Sequence, residues 1–444
     1  MSFPKYPEVK DSGVEWLGKV PAHWEVVKLK RLCHMQSGDF ISPSAIEEEG
    51  KYPVYGGNGH RGFTSSYTHN GLYPIVGRQG ALCGNVNYAQ GKFWASEHAV
   101  VASPDGGVSP VWLGELLRAM DLNQYSITAA QPGLAVEKIK NLFTPKPPLS
   151  EQSQIASFLD HETARIDALV EQQQRLIKLL KEKRQAVISH AVTKGLDPNV
   201  PMKDSGVEWL GEVPAHWVRK RLKNVSPFIA VGIVVNPSSY LAEEGLPFIY
   251  GGEVREGYVE VDKARKISLE DSRRNRKTML EAGDVVTMRV GYPGVTAVVP
   301  PECEGGNCAS VMLIKKGCYD SRWLCAAMNS HLIRHQVEIV QYGAAQKQFN
   351  IADAVEFWLF EPPVDEQVSI ADYIDRESLN FDQLMDEAKR NMELLKERRS
   401  ALISAAVTGK IDIRGWQADQ QAEMLMAAEA CATYGSGKEK IDEV

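Results

Sequence analysis

The stretch KDSGVEWLGKVPAHW at residues 10–24 returns as KDSGVEWLGEVPAHW at residues 203–217, with one change, Lys19 against Glu212. We call each copy a lead-in. The two lead-ins are 193 residues apart. Self-similarity at a fixed offset indicates duplicated structural units, so this repeat decides how the rest of the chain is interpreted.

A second repeat follows each lead-in at a different offset. Residues 150–193 align without a gap with residues 365–408, an offset of 215. The same offset pairs the Ala-Ala-Gln triplet at 129–131 with the triplet at 344–346. Two offsets mean that the segment between the shared ends is longer in the second copy. The chain therefore contains a lead-in, a variable domain and a shared segment, each twice.

The shared segments predict two long helices that pair with each other. Their apolar residues recur with 4-3 spacing between charged residues, the pattern of a coiled-coil seam. Each segment begins after a Pro-Pro pair and ends near a glycine, as helices commonly do. The predicted helix-helix seam contains Ile155, Leu159, Ile166, Leu169, Leu176, Leu180, Ile370, Ile374, Phe381, Leu384, Leu395 and Leu402.

A helix of roughly 42 residues is about 60 Å long, and its apolar stripe needs a partner. Because the first helix leads from one variable domain to the other, an antiparallel second helix would return the chain toward its start. We therefore expect an antiparallel coiled coil that separates the two domains, related by a pseudo-two-fold axis. The alternative is a helix pair that packs only for stability.

The variable segments predict strand-rich α/β (α+β) domains. Short apolar runs punctuated by Gly and Asn, such as YPVYGG, LYPIVGRQG, LPFIYGGEV, GYVEV and DVVTMRVG, are typical of strands and turns. Each domain also has a helical stretch, VWLGELLRAM or SRWLCAAMNSHLIRHQV. The predicted segments are residues 1–149 (lead-in and first domain), 150–195 (first helix), 196–364 (lead-in and second domain), 365–410 (second helix) and 411–444 (C-terminal tail).

Composition narrows the class of protein. A hydrophobic fraction of 43% and a charged fraction of 24% are ordinary for a globular chain. The sequence has neither a long apolar run nor a signal peptide pattern, so we expect a cytoplasmic protein without membrane contact. Seven scattered cysteines favour a reducing compartment over a disulfide framework, and their spacing predicts no metal site.

The net charge of -7 argues at first against a nucleic-acid partner. However, the acidic excess lies in residues 196–217, in the second helix and in the tail. The two variable domains each carry a small basic excess and are free to present basic faces. We therefore expect the DNA affinity of this chain alone to be modest.

The chain has no recognisable catalytic motif. A phosphate loop, a nucleophile elbow and a zinc deaminase signature are all missing from the sequence. His23 and His216 recur beside Trp24 and Trp217 because the lead-in recurs, and packing is the expected role of these histidines. The polar loops of the variable domains are better suited to binding than to catalysis.

The candidate DNA-binding residues are polar and basic side chains in these loops. Arg bonds guanine edges and Asn or Gln bonds adenine edges, whereas a compact basic cluster such as SRRNRK (272–277) suits phosphates. In the first domain the candidates are Asn58, His60, Arg61, Arg78, Gln79 and Gln131. In the second domain they are Arg255, Arg273, Arg274, Arg276, Lys277, Arg289, Tyr292, Gln346, Lys347 and Gln348.

With these features the chain closely resembles the specificity subunit of type I restriction-modification systems, which defend cells against foreign DNA. The resemblance rests on both lead-ins, on PPLSEQ and PPVDEQ at the helix starts, and on SHAVTKGLDPN and SAAVTGKIDIRGW at the helix ends. It implies a non-catalytic subunit with two target-recognition domains. Each domain would read one half of a bipartite asymmetric site in double-stranded DNA, and the helices would set the spacer.

The resemblance also implies partners. Two modification subunits, which bind S-adenosylmethionine and methylate adenine, would dock on the lead-ins and helices. Two restriction subunits, which use ATP and Mg, would complete the assembly. This chain itself would hold no cofactor. The lead-in would then recur because two copies of one partner bind in equivalent ways.

Two other functions stay open. A methyltransferase or nuclease with its own recognition domains is disfavoured because the Asn/Asp-Pro-Pro-aromatic motif is missing from the sequence. A coiled-coil scaffold without a DNA role agrees with the net charge but leaves two loop-rich domains unexplained. The tail after Trp416 is Ala-rich and acidic, and we expect a short helix followed by disorder there.

Overall fold

The structure is a computed structural model that describes residues 3–80, 82–126, 133–344 and 346–418. The chain forms two compact units. The first unit contains residues up to 173 and from 390 onward, and the second contains residues 174–389. Each unit therefore holds one lead-in, one variable domain and part of each long helix.

The elements of the first unit come first along the chain. They are β1 (Val9–Asp11), β2 (Lys19–Pro21), β3 (Glu25–Lys28), β4 (Cys33–Ser37), β5 (Tyr52–Gly56), β6 (Gly59–Thr64), β7 (His69–Asn70), β8 (Tyr73–Gly77), β9 (Val86–Ala89), β10 (Lys92–Ala95), β11 (Ala99–Pro104), α1 (Pro110–Ala119), α2 (Val136–Lys140), β12 (Phe143–Lys146) and the start of α3 (Leu149–Lys194).

Two sheets build the variable domain of the first unit. One has the order β4-β11-β8-β9 and is antiparallel, and the other has the order β6-β5-β10-β7 with β5 and β10 parallel. Helix α1 begins at Ser109, whose side chain accepts a hydrogen bond from the Trp112 N–H, and Pro110 opens its first turn. Its buried face, which includes Trp112 and Leu116, packs on β8 and β9.

The elements of the second unit follow a similar series with one strand fewer and additional helices. They are β13 (Met202–Asp204), β14 (Glu212–Pro214), β15 (Val218–Arg221), β16 (Ile229–Val231), β17 (Leu241–Ile249), β18 (Arg265–Ile267), α4 (Leu269–Arg274), β19 (Val285–Thr287), β20 (Thr296–Val298), β21 (Asn307–Cys308), β22 (Met312–Ile314), α5 (Ser321–Asn329), α6 (His331–Val340), α7 (Ile351–Ala354), β23 (Trp358–Glu361) and the start of α8 (Val364–Val407).

The two variable domains share the order of their antiparallel sheet although their sequences do not align, while the second sheet has four strands in the first domain and three in the second. The order β16-β22-β19-β20 matches β4-β11-β8-β9, and β17 pairs with β21 in parallel, as β5 pairs with β10. The small ladders β13–β14 and β15–β23 match β1–β2 and β3–β12. The predicted fold class, strand-rich domains with two long helices in a pseudo-repeat, is confirmed.

The long helices run antiparallel within each unit. In the first unit, Gln154 bonds the Arg414 carbonyl and Asp167 pairs with Arg399, so residue numbers rise along α3 as they fall along α8. In the second unit, Arg184 pairs with Asp382, while Glu366, near the start of α8, lies beside Gly195 at the end of α3. Gly195 and Gly409 end the helices with positive φ angles of 75° and 70°.

The predicted seam needs a correction at three leucines. Leu169, Leu176 and Leu384 are 38%, 42% and 49% exposed. The 4-3 spacing of buried and half-buried residues leads instead from Ile166 to Val170 and from Phe381 to Met385. Adjacent helical residues point about 100° apart, so each leucine flanks the seam.

The other predicted seam residues lie in the packed face of the helices. Ile155, Leu159, Ile166, Ile370, Ile374, Phe381 and Leu402 are buried, and Leu180 and Leu395 are half-buried.

One local prediction for the second domain is wrong. GYVEV forms no strand, because Gly257 takes a positive φ of 88° and the segment makes isolated bridges instead, Val254 with Val259 and Gly257 with Ala297. The stretch SRWLCAAMNSHLIRHQV is helical as predicted, and it divides into two helices at Ser330, which is extended and whose hydroxyl bonds back to the Ala327 carbonyl at 2.6 Å.

Of the helices in the described ranges, none is long and apolar enough to cross a membrane.

Candidate nucleic-acid interface

One carboxylate holds the lead-in of the first unit at the start of α3. Glu151 accepts hydrogen bonds from Trp24 Nε1 at 2.9 Å and from the Tyr6 hydroxyl at 3.0 Å, and its other oxygen lies 2.6 Å from His23 Nε2. Burial and the Glu151 carboxylate raise the pKa of Tyr6, so its hydroxyl remains a donor. The repeated His-Trp pair thus fixes the lead-in to the helix.

The second unit repeats this anchor. Glu366 accepts a hydrogen bond from Trp217 Nε1 at 3.1 Å and lies 2.8 Å from His216 Nε2. The two histidines therefore bind a carboxylate in addition to packing, which the sequence did not predict.

A lysine joins each lead-in to a helix C-terminus. Lys410 Nζ donates to the Leu17 carbonyl at 2.7 Å in the first unit, and Lys194 Nζ donates to the Leu210 carbonyl at 2.8 Å in the second. Burial lowers the pKa of Lys410. Each unit consequently builds its lead-in on both a helix start and a helix end, by the same contacts.

Four of the six candidate residues of the first domain meet in one open cleft of about 580 Å³. The cleft is lined by Asn58, His60, Arg61 and Gln79, which the sequence selected, and by Gly57, Gly80, Leu82 and His98. Asn58, His60, Arg61 and Gln79 are exposed. Their donors and acceptors match those of base edges in the major groove.

The pairing of β5 with β6 and the close approach of their turn to β8 place the residues of this cleft side by side. The β5–β6 hairpin carries Asn58 in its turn, and a register shift opposite Val54 and Tyr55 makes Arg61 an extra, bulged residue. His60 and Arg61 therefore lie on a strand and not in the predicted loop. A Cβ on Gly77 would lie 2.2 Å from the Gly57 carbonyl oxygen, so glycine there lets the hairpin approach the end of β8.

Arg78 is half-buried and follows β8 directly before Gln79, but it does not line the cleft itself. Its Nη1 donates to Ser37 Oγ at 3.2 Å, and its backbone N–H donates to the His98 carbonyl at 2.9 Å. His98 was not predicted, since only the pairing of β11 with β8 brings it here. Gln131 lies outside the described residues.

In the second domain, five candidates form one ridge, made of Arg289, Tyr292, Gln346, Lys347 and Gln348. The Gly291 N–H donates to the Lys347 carbonyl at 3.0 Å, and Val290 bridges Gln348. Tyr292 is 76% exposed, and Gln346 and Lys347 are exposed beside it. The ridge presents an aromatic ring, an ammonium group and amides to solvent.

The Arg255 guanidinium forms its hydrogen bonds within the protein. Its guanidinium donates to the Gly252 and Val254 carbonyls and to Glu260 at 2.7 Å. An arginine with this many internal bonds has little capacity left for DNA.

The basic cluster lies on α4 and the following turn, not on a loop. Arg274 pairs with Glu270 and Asp271 within the helix. Arg273, Arg276 and Lys277 are exposed, and none has an acidic partner among the described residues. These three side chains suit phosphate contacts.

The part of the chain that the structure describes holds no group of three or more His, Cys, Asp or Glu residues that could bind a metal ion. That this chain needs no cofactor of its own stays a prediction.

Known proteins resemble this chain in sequence. A family model described as type I restriction modification DNA specificity domain matches residues 21–179. The EcoprrI specificity subunit of Escherichia coli is 42% identical over 34% of this chain and 37% of its own length. The EcoBI specificity subunit of Escherichia coli is 22% identical over 68% of this chain and 65% of its own length. Each match thus spans less than two thirds of the relative.

A solved structure resembles the fold. A chain from a study of complex assembly and conformational transition in the type I restriction-modification system covers 88% of this chain and 99% of its own length, with a TM-score of 0.66 and 17% identity. This likeness shows the fold that the two chains share. In sequence, residues 21–179 match the DNA specificity domain, and the relatives that the chain resembles over part of its length are specificity subunits of type I restriction-modification systems.

Proposed function

We propose that this chain is the non-catalytic DNA sequence-specificity subunit of a type I restriction-modification complex. Each variable domain reads one half of a bipartite asymmetric site, and the paired helices fix the spacer between the halves. The observation that carries the proposal is the duplication: both units have the same strand order in the antiparallel sheet and the same helix anchors. Two equivalent units with different surface residues suit two different half-sites.

The candidate surfaces support DNA as the ligand. The cleft of the first domain offers Asn, Gln, His and Arg side chains, and the ridge of the second offers Arg, Lys, Gln and Tyr. These residue types bond base edges and phosphates. The exposed Arg273, Arg276 and Lys277 add positive charge to a domain in an acidic chain.

The lead-ins support two copies of one protein partner. Their sequences are nearly identical, and each is held by a Glu carboxylate and a Lys ammonium at equivalent places. Two modification subunits that methylate adenine would find the same surface twice. Restriction subunits, which use ATP, would join the larger assembly.

The experiment is sequencing for methyladenine in DNA from cells that express this chain with its candidate modification subunit. We expect a bipartite motif with a fixed gap that disappears when this chain is left out. A folded complex that methylates no defined motif would contradict the proposal. Methylation by this chain alone would show that it is an enzyme instead.

A further inference from the structure

Arg78 and Arg289 occupy equivalent places in the two domains. Arg78 directly follows β8, and Arg289 comes two residues after the end of β19, the matching strand of the matching sheet. The Leu134 N–H donates to the Arg78 carbonyl at 2.9 Å, and the Phe349 N–H donates to the Arg289 carbonyl at 3.2 Å. The two arginines are 211 residues apart, an offset that neither sequence repeat contains.

The loops after these arginines share two backbone features. Gly80 and Gly291 both take positive φ angles, 89° and 87°. A Cβ at either glycine would meet nothing within 4 Å, so the left-handed conformation, not crowding, requires glycine. The residue between arginine and glycine forms a bridge in each loop, Gln79 with Gly133 and Val290 with Gln348.

Each guanidinium donates one hydrogen bond within the protein. Its other N–H groups are left to bind a ligand. Arg78 donates one bond from Nη1 to Ser37, and Arg289 donates one from Nε to the Phe349 carbonyl at 3.3 Å. In the described ranges no acid pairs with either arginine. Both side chains are half-buried, so binding would cost them little rotamer entropy.

The surroundings of each arginine suit base readout. Gln79, next to Arg78, lines the cleft with Asn58 and Arg61. Tyr292, Lys347 and Gln348 surround the Arg289 loop. An arginine fork matches the N7 and O6 acceptors of guanine in the major groove. Positioning by a fixed backbone improves such bidentate contacts.

We propose that Arg78 and Arg289 are the equivalent base-reading arginines of the two recognition domains, and that each recognises a guanine in its own half-site. This inference rests on the proposed function and adds to it the residue that reads each half. The remaining candidates then supply neighbouring base contacts or phosphate contacts.

The test uses the full chain in complex with its modification subunit, with Arg78→Gln and Arg289→Gln as separate variants. Methyladenine sequencing gives the motif for each. We expect Arg78→Gln to relax one guanine position in one half-site and Arg289→Gln to relax one in the other half-site. Methylation of the original motif should fall roughly 10- to 100-fold in each case, the size of one bidentate base contact.

Each variant is the matched control of the other. The half-site that stays unchanged shows that the complex still folds and binds. Arg31→Gln, an exposed arginine of the first unit outside the cleft, should leave the whole motif unchanged. Arg78→Lys separates charge from the fork, and it should also relax the guanine position because lysine lacks the bidentate geometry.

Three outcomes would overturn the inference. Both half-sites could keep all their bases in both variants, methylation could fall at every site without any change of motif, or the two variants could alter the same half-site. The second of these would assign the arginines a structural role only. If the unmodified complex gives no bipartite motif, the proposed function fails first, which keeps the two failures distinct.

Discussion

Asp167 accepts two hydrogen bonds from Arg399 across the helix pair of the first unit, at 3.0 and 3.4 Å. In the second unit, Arg184 donates to Asp382 at 2.9 Å. Asp382 lies 215 residues after Asp167, and Arg399 lies 215 residues after Arg184, so the two aspartates and the two arginines are equivalent in the repeat. The two ion pairs are therefore one contact made twice, and they fix the same helix register in both units.

The first prediction concerns this register. Asp167→Arg should face Arg399 with a like charge and lower the free energy of unfolding by about 0.5–1 kcal/mol, the modest size expected of exposed pairs. Adding Arg399→Asp should restore most of the loss. Denaturant titration of the two single variants and the double variant measures the coupling, with Arg184 and Asp382 as the matched pair. A double variant no better than the singles would argue against the contact.

A second prediction compares the two lead-in anchors. Glu151→Ala leaves the buried Trp24 N–H and Tyr6 hydroxyl without an acceptor and should cost roughly 2–4 kcal/mol. Glu366→Ala should cost about 1 kcal/mol less, because Glu366 is more exposed and bonds no tyrosine. Unfolding of the two variants by urea checks the order. Equal losses would mean that Tyr6 contributes nothing.

The third prediction tests the spacer role of the helices. Seven residues inserted at equivalent places, after Ile177 in α3 and after Met392 in α8, keep the seam in phase. They add about 10 Å, close to three base pairs. Methyladenine sequencing should give a longer spacer with both half-sites intact. Altered half-sites with the original spacer would exclude this role.

A fourth prediction separates phosphate contacts from base contacts. Arg273→Gln should weaken DNA binding on all sequences and reduce the slope of log affinity against log salt by about 1. Arg274→Gln is the matched control with a smaller effect, because Glu270 already neutralises Arg274. Binding titrations of the complex at several salt concentrations measure both. A change of motif in Arg273→Gln would assign this residue to base readout instead.

The fifth prediction concerns thiol reactivity. Among the described cysteines Cys318 is exposed and the others are buried. Burial raises the pKa of Cys303 to about 11 and of Cys325 to about 12, so both remain mostly protonated thiols at pH 7 to 9. In a Cys431→Ser chain, a thiol reagent should modify one residue quickly, and raising the pH from 7 to 9 should add no second fast site. Rapid labelling of Cys303 would show that the segment between β20 and β21 opens.

The sequence revealed the duplication because the lead-ins and helices kept their residues. It also selected Arg78 and Arg289, but as two unrelated arginines. Their equivalence depends on strand pairing between segments far apart in the chain, which leaves no trace in spacing. The sequence did not predict that His98 lines the cleft, for the same reason.

The helix-helix seam shows what the apolar periodicity of a helix does not predict, namely which leucines are buried. In a long helix, several sets of apolar residues that differ by one position fit the same spacing. Leu169 and Leu384 belong to a set that is not buried against the other helix. Only contact with the second helix decides which phase is buried, since an isolated helix exposes all its faces equally.

By itself the sequence determined that the chain is two copies of one plan, with strand-rich domains and two long helices, because repeated residues and apolar spacing are local properties. The tertiary structure decided which side chains share a surface. Hydrogen bonds such as Leu134 N–H to the Arg78 carbonyl form only when distant segments pack, and that packing sets the two candidate reading loops in matching positions.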